Sequence, residues 1–268
     1  MLLLLIILAA VLPALVLVYF IYRKDKYEKE PVPQLIKGFG FGALSALASF
    51  LLSVPSMYIG LYPAEATTVW GHLRTALFGA AVPEELAKYF FLWLLLRRNS
   101  HFNEYVDGIV YAVCVGMGFA AFENIGYLVS NYEQWAAVGL MRSIFSIPGH
   151  FFFAVTMGYF YSHARFGNPG KRNLNYALAI VLPILLHAAF DGCIMASNGF
   201  GLAGSAFCTF IGLYVYMATV SKARFETHLA TDEITRAVDE DVREELADAA
   251  DGKRDNPVGS IIYLPSKF

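Results

Sequence analysis

Long apolar runs separated by short polar connections occupy most of the chain. Met1 to Tyr22 is apolar without interruption and ends at Arg23-Lys24-Asp25-Lys26. Its length and the lack of a basic start predict a retained membrane span, not a cleaved signal peptide. Further runs cover about Leu35 to Tyr62, Arg74 to Leu96, Tyr105 to Ser130, Val138 to Phe166, Leu174 to Ala196 and Phe200 to Val220. Each suffices to cross a hydrocarbon core of roughly 30 Å as a helix. The second run carries Gly38, Gly40, Gly42, Ala43, Ser45, Ala46, Ala48 and Ser49, small residues that permit close helix packing.

Basic residues orient these runs. Arg23 and Lys24, Arg97 and Arg98, Arg165 with Lys171 and Arg172, and Lys222 with Arg224 all mark the same side. By the positive-inside rule that side is cytoplasmic, with the N-terminus outside and the C-terminus inside. The expectation is an all-α polytopic membrane protein of about seven transmembrane helices. Residues 1–22 form an N-terminal span, residues 35–221 a six-helix core and residues 225–268 an acidic cytoplasmic tail. In the tail, Ile234, Val238, Val242 and Leu246 recur every four residues, which predicts an amphipathic surface helix. After Gly252 the sequence reads as flexible.

Composition agrees. The 268 residues are 57% hydrophobic and 16% charged, against about a quarter charged in soluble domains. A net charge of −2 without a basic patch gives no reason to expect a nucleic-acid partner. Cys114, Cys193 and Cys208 lie in apolar runs without metal-ligand spacing and read as buried apolar residues.

Against this background, Pro83-Glu84-Glu85-Leu86-Ala87-Lys88 stands inside the third run. A charge at the centre of a membrane helix costs roughly 2.5–3.5 kcal/mol on insertion scales, so such residues are usually paired or functional. Glu84 and Lys88 are four apart and share a helix face, which predicts that Lys88 holds Glu84 and leaves Glu85 free. Glu123 and Asn124, His150, and the i,i+4 pair His187 and Asp191 interrupt later runs. Counted along the helices, all of these fall between mid-membrane and the outer interface. One such layer predicts one polar cavity in the outer half of the bilayer. Pro83, Pro148 and Pro183 each precede a member of the layer, and irregular backbone at membrane depth is tolerated where it lines a cavity. His72, His101, His163 and His228 lie near loops or helix ends and read as solvated or interfacial.

Peptide hydrolysis needs an activated water, an oxyanion contact and a proton donor for the leaving amine. A carboxylate in a low-dielectric cavity holds a proton more tightly than in water, which suits it to general-base work. Glu85 is the expected base, with Glu84 as its electrostatic partner. His187, oriented by Asp191, and His150 would meet the oxyanion or a metal. Glu123 and Asn124 would complete the cavity. Alternatively, Glu85, His150 and His187 would hold Zn²⁺ or another divalent cation, although no HExxH motif is present.

The ordered set Glu84-Glu85-x-x-Lys88, Phe119-x-x-x-Glu123-Asn124 and His187-x-x-x-Asp191 resembles the PrsW family of intramembrane proteases, over about Val32 to Lys222. That family is similar to the CAAX prenyl endopeptidases and the bacterial abortive-infection membrane proteins. Those relatives typically carry histidine where Glu123 stands and arginine in place of Lys88, which sets this chain nearer PrsW. The resemblance implies a prokaryotic inner-membrane endopeptidase cutting a membrane-anchored anti-sigma factor, or a similar single-span protein, on its extracytoplasmic side. It makes Glu84, Glu85 and His187 the catalytic core, of glutamate or metallo type. Two rivals use the same residues: a proton- or metal-coupled transporter, and a non-catalytic scaffold. A transporter should distribute polar groups across the bilayer and often repeats internally.

Overall fold

The structure is a computed structural model that describes residues 2–197 and 203–250. It contains α1 (Leu2–Lys24), α2 (Val32–Tyr58), α3 (Val69–Arg74), α4 (Val82–Leu96), α5 (Tyr105–Ser130), α6 (Trp135–Met141), α7 (Ile147–Phe166), α8 (Arg172–Ser197) and α9 (Ala203–Ala250). No strand occurs among the described residues. The protein is an all-α polytopic membrane protein, and among the described residues five helical stretches are long and apolar enough to cross a membrane. Residues 69–96, interrupted and charged, and α9 supply two further helical runs. The start expected at Phe200, the side chain of Cys208 and the stretch after Gly252 lie outside the described residues.

α5 is the axis of the bundle. It is apolar on every side, and a helix of that kind belongs in the interior. Its residues from Val106 to Ala121 are buried without a break. α1, α2 and α7 pack around it. On α2 the buried residues Leu35, Gly38, Gly42, Ser45, Ala46 and Ser49 form one stripe, while Leu44, Leu47 and Phe50 face outward. Only part of the small-residue run is used, since Gly40 is exposed. At the α2–α5 crossing, a side chain on Gly42 would meet the Val115 carbonyl, and one on Gly118 the Phe39 carbonyl. The two backbones can touch only because both positions lack a Cβ.

Several boundaries differ from the sequence expectation. α2 stops at Tyr58, not Tyr62, because Gly60 takes a left-handed φ of 78° that turns the chain. The next helix starts at Val69, ahead of Arg74, because Thr68 accepts the Gly71 N–H and caps it. Arg74 donates to the carbonyls of Gly60 and Leu61. The tail differs more. α9 continues through Lys222 and Arg224 without a break, so the last apolar run and the tail are one helix. In the tail, the residues that recur every four are not the ones packed on the bundle. Ile234, Val238 and Leu246 are exposed, while Phe225, His228 and Asp232 are buried against the bundle. Asp232 accepts the N–H groups of Tyr105 and Val106 at 2.8 and 2.9 Å, capping the free start of α5. His228 is thus buried, stacked on Tyr159 with ring centroids 4.4 Å apart, not solvated.

Candidate active site

Two π-helical turns carry the site. One covers Thr75–Ala81 and runs into α4; the other covers Arg142–Ser146 and runs into α7. Each is followed within two residues by a proline, Pro83 or Pro148, and then by Glu84 and Glu85 or by His150. Proline offers no N–H to the helix ladder, so the wider turn accommodates it. The loosening expected from the prolines takes this form at two of the three positions.

The side chains converge on Lys88. Its Nζ lies 2.8 Å from Glu85 Oε1, 3.4 Å from Glu84 Oε2 and 3.1 Å from His150 Nδ1. It also sits 3.9 Å above the centroid of the Phe119 ring, which gives the phenylalanine of the second motif a cation–π role. The pairing therefore reverses the sequence expectation: Lys88 is nearer Glu85 than Glu84. The Glu85 side chain is wholly buried, whereas that of Glu84 is 13% exposed.

His187 Nδ1 lies 2.9 Å from Glu85 Oε1, and its Nε2 lies 3.4 Å from Asp191 Oδ2 and 3.9 Å from Glu84 Oε2. The Phe153 ring stacks on the imidazole at 4.7 Å. His150 accepts from Lys88 at Nδ1, so its Nε2–H donates to Glu123 Oε2 at 3.0 Å. Glu123 also accepts from Arg142 Nη2 at 2.6 Å. Asn124 is bound away from this centre. Its Oδ1 accepts from Arg142 Nε at 2.7 Å and its Nδ2 donates to the Ala10 carbonyl of α1. Glu84, Glu85, Lys88, His150, His187, Glu123 and Asp191 thus form one network, with Asn124 at its rim. Arg142 was not among the expected site residues. An arginine inside an apolar run was itself a signal that it is paired with a buried acid.

A cleft of about 520 Å³ leads to the network between α2, the first π turn and α5. Ser49, Ser53, Tyr62, Gly79, Glu123 and Tyr127 line it, and Glu84 is the member of the diglutamate pair that reaches it.

The residues also fit a metal. Glu84, Glu85, His150 and His187 each offer one ligand atom, and these atoms lie within 4.8 Å of one another. Mixed carboxylate and imidazole donors suit zinc. Glu85 Oε2 is buried without a hydrogen-bond partner, which leaves an acceptor for a cation. The expected set of Glu85, His150 and His187 gains Glu84.

Similarity to known proteins covers the stretch of chain that holds these residues. Residues 30–221 match the sequence model described as PrsW family intramembrane metalloprotease. The chain is 36% identical over 190 residues to a curated Protease PrsW of Clostridioides difficile (strain 630), covering 70% of this chain and 78% of that protein. It is 33% identical over 193 residues to Protease PrsW of Geobacillus kaustophilus (strain HTA426), covering 72% and 81%. It is 31% identical over 188 residues to Protease PrsW of Bacillus subtilis (strain 168), covering 70% and 82%. No solved structure matches the chain. With a family match across most of its length and a polar network built from the motif residues, the chain belongs to the PrsW family of intramembrane peptidases.

Proposed function

We propose that this peptidase cuts a membrane-anchored protein on its extracytoplasmic side, with Glu84 as the general base. A single-span protein such as an anti-sigma factor is the substrate class. The observation that carries the reading is the cleft that Glu84, and not Glu85, lines. Glu85, Lys88, His150 and His187 lie behind it, almost fully buried. Tyr62, Ser130 and Asn131, which also line the cleft, lie at or just beyond the ends of α2 and α5 that the basic clusters assign to the outside, with the N-terminus outside and the C-terminus in the cytoplasm. A cleft open there receives an extended segment that leaves the bilayer on that side.

Glu84 takes a proton from the attacking water and returns it to the leaving amine. The Lys88 ammonium, fixed by Glu85 and by the Phe119 ring, favours the negative charge that develops on the scissile oxygen. Glu123, held by Arg142, fixes His150 so that its Nδ1 faces Lys88. Glu85 and Asp191 fix the ring of His187 from both sides. A divalent cation such as Zn²⁺, held by Glu85, His150 and His187 with Glu84 left free as the base, would supply Lewis-acid polarisation of the substrate carbonyl.

The test uses the full chain in liposomes with a single-span reporter. The cut site is read by mass spectrometry, and bound zinc is counted before and after chelation. The reading predicts one cut in the outer third of the span or just beyond it. A cut on the cytoplasmic side would overturn the orientation. Ion or proton flux without any cleavage would favour the transporter.

A further inference from the structure

The two π turns share a feature outside the catalytic network. In the first, the Val82 N–H reaches back five residues to the Leu77 carbonyl. In the second, the Ile147 N–H reaches back five to Arg142. The next residue in each case is a proline, which has no N–H. The carbonyl four residues before it, Gly79 or Ile144, therefore lacks the donor that an α-helix supplies. At membrane depth, where no water supplies a donor, such a carbonyl must find another.

Both do, from a hydroxyl on a different helix. Ser53 of α2 donates to the Gly79 carbonyl at 2.7 Å. Tyr62 buttresses it, with its hydroxyl 3.0 Å from Ser53 Oγ. Tyr214 of α9 donates to the Ile144 carbonyl at 2.7 Å. The two contacts come from separate helices, serve separate turns and meet the same chemical need. We infer that Ser53 and Tyr214 are positioning residues, whose hydroxyls fix the turns that present Glu84, Glu85 and His150 to one another.

Both bonds end on a backbone carbonyl. Tyr214 lies outside the cleft, its ring packed against Phe145, Phe152 and Phe210. Tyr214→Phe keeps that packing and removes only the donor. Ser53 does line the cleft, so a substrate contact is its rival role. The inference rests on the site reading proposed above, and the experiment separates the two.

Full-length Tyr214→Phe, Ser53→Ala, Ser53→Thr and Glu84→Gln are purified and reconstituted, and reporter cleavage is resolved into kcat and KM. Misplacing a reacting group by about 1 Å costs on the order of a hundredfold, and loss of one hydrogen bond should displace a turn by less. Tyr214→Phe and Ser53→Ala should each lower kcat about tenfold, with KM within about twofold. Ser53→Thr keeps a hydroxyl and should restore kcat. Thermal midpoints near that of the parent would show that the loss is not unfolding. Parental kcat in both Tyr214→Phe and Ser53→Ala would overturn the inference, as would a rise in KM alone for Ser53→Ala or no rescue by Ser53→Thr. If Glu84→Gln is inactive while those two are normal, only the positioning inference fails. If Glu84→Gln cleaves normally, the site reading fails with it.

Discussion

Replacing Lys88 by methionine removes the ammonium at the centre of the network and keeps most of the stem. At 2.8 and 3.4 Å, its attractions to Glu85 and Glu84 are roughly 6 and 5 kcal/mol for an effective dielectric near 20. Desolvation of the three charges offsets most of this, so the net worth of the cluster is small. The consequence of breaking it is not small. Glu85 is fully buried, and one of its oxygens already has no partner. An uncompensated charge in such a place costs about 3–5 kcal/mol. Lys88→Met should therefore lower the thermal midpoint by roughly 10 °C, at about 2–4 °C per kcal/mol for a chain of this size. Adding Glu85→Gln removes the stranded charge and should recover most of the loss, though not the activity. The assay is a double-mutant cycle on midpoints in mild detergent, with a coupling above about 2 kcal/mol. Additive single effects, or a Lys88→Met variant as stable as the parent, would refute the reasoning.

Other perturbations read different parts of the structure. Gly118→Val forces α2 and α5 apart and should abolish folded protein, while Gly40→Val, with nothing near its Cβ, should change stability by less than about 0.5 kcal/mol; expression and thermal midpoint distinguish them. Asp232→Ala removes the cap on the start of α5 and should cost about 0.5–2 kcal/mol, seen as faster hydrogen exchange in residues 225–240. In the connection between α1 and α2, burial pushes the Asp25 carboxyl up to about 6, helped by Glu104, and burial pushes Glu30 up to about 7 against the Tyr111 hydroxyl bonded to it. Both are raised, so their stabilising effect is complete below the ordinary carboxyl range and is lost as pH rises through about 6 to 7. The thermal midpoint should fall over that window, and Asp25→Asn with Glu30→Gln should flatten the fall.

Much of this was legible in the chain. The apolar runs gave most helices, and Tyr105–Ser130 has the expected bounds, because hydrophobic length determines what crosses a membrane. Convergence of Glu84, Glu85, His150, His187, Glu123 and Asp191 followed from their common depth, since polar groups at one level in a bundle must find each other or water. Which glutamate Lys88 prefers was not legible. Positions three and four apart both face a lysine, and the choice depends on His187 and His150, which arrive from distant helices. The packed face of the tail was not legible, because its period of four predicts only a surface helix. α9 instead buries Phe225, His228 and Asp232, and Asp232 answers a need of α5 that periodicity does not encode. Arg142, Ser53 and Tyr214 were passed over for a similar reason: each serves a partner remote in sequence.

The central claim is that Glu84, in the lining of the cleft, activates the water that cuts the substrate. Cleavage of a single-span reporter in proteoliposomes by the parent and by Glu84→Gln, at matched thermal stability, tests it most directly. The account predicts loss of about a hundredfold to ten-thousandfold, since removal of a base acting in the transition state forfeits on the order of 10²–10⁴. Cleavage by Glu84→Gln within a few fold of the parent would contradict it.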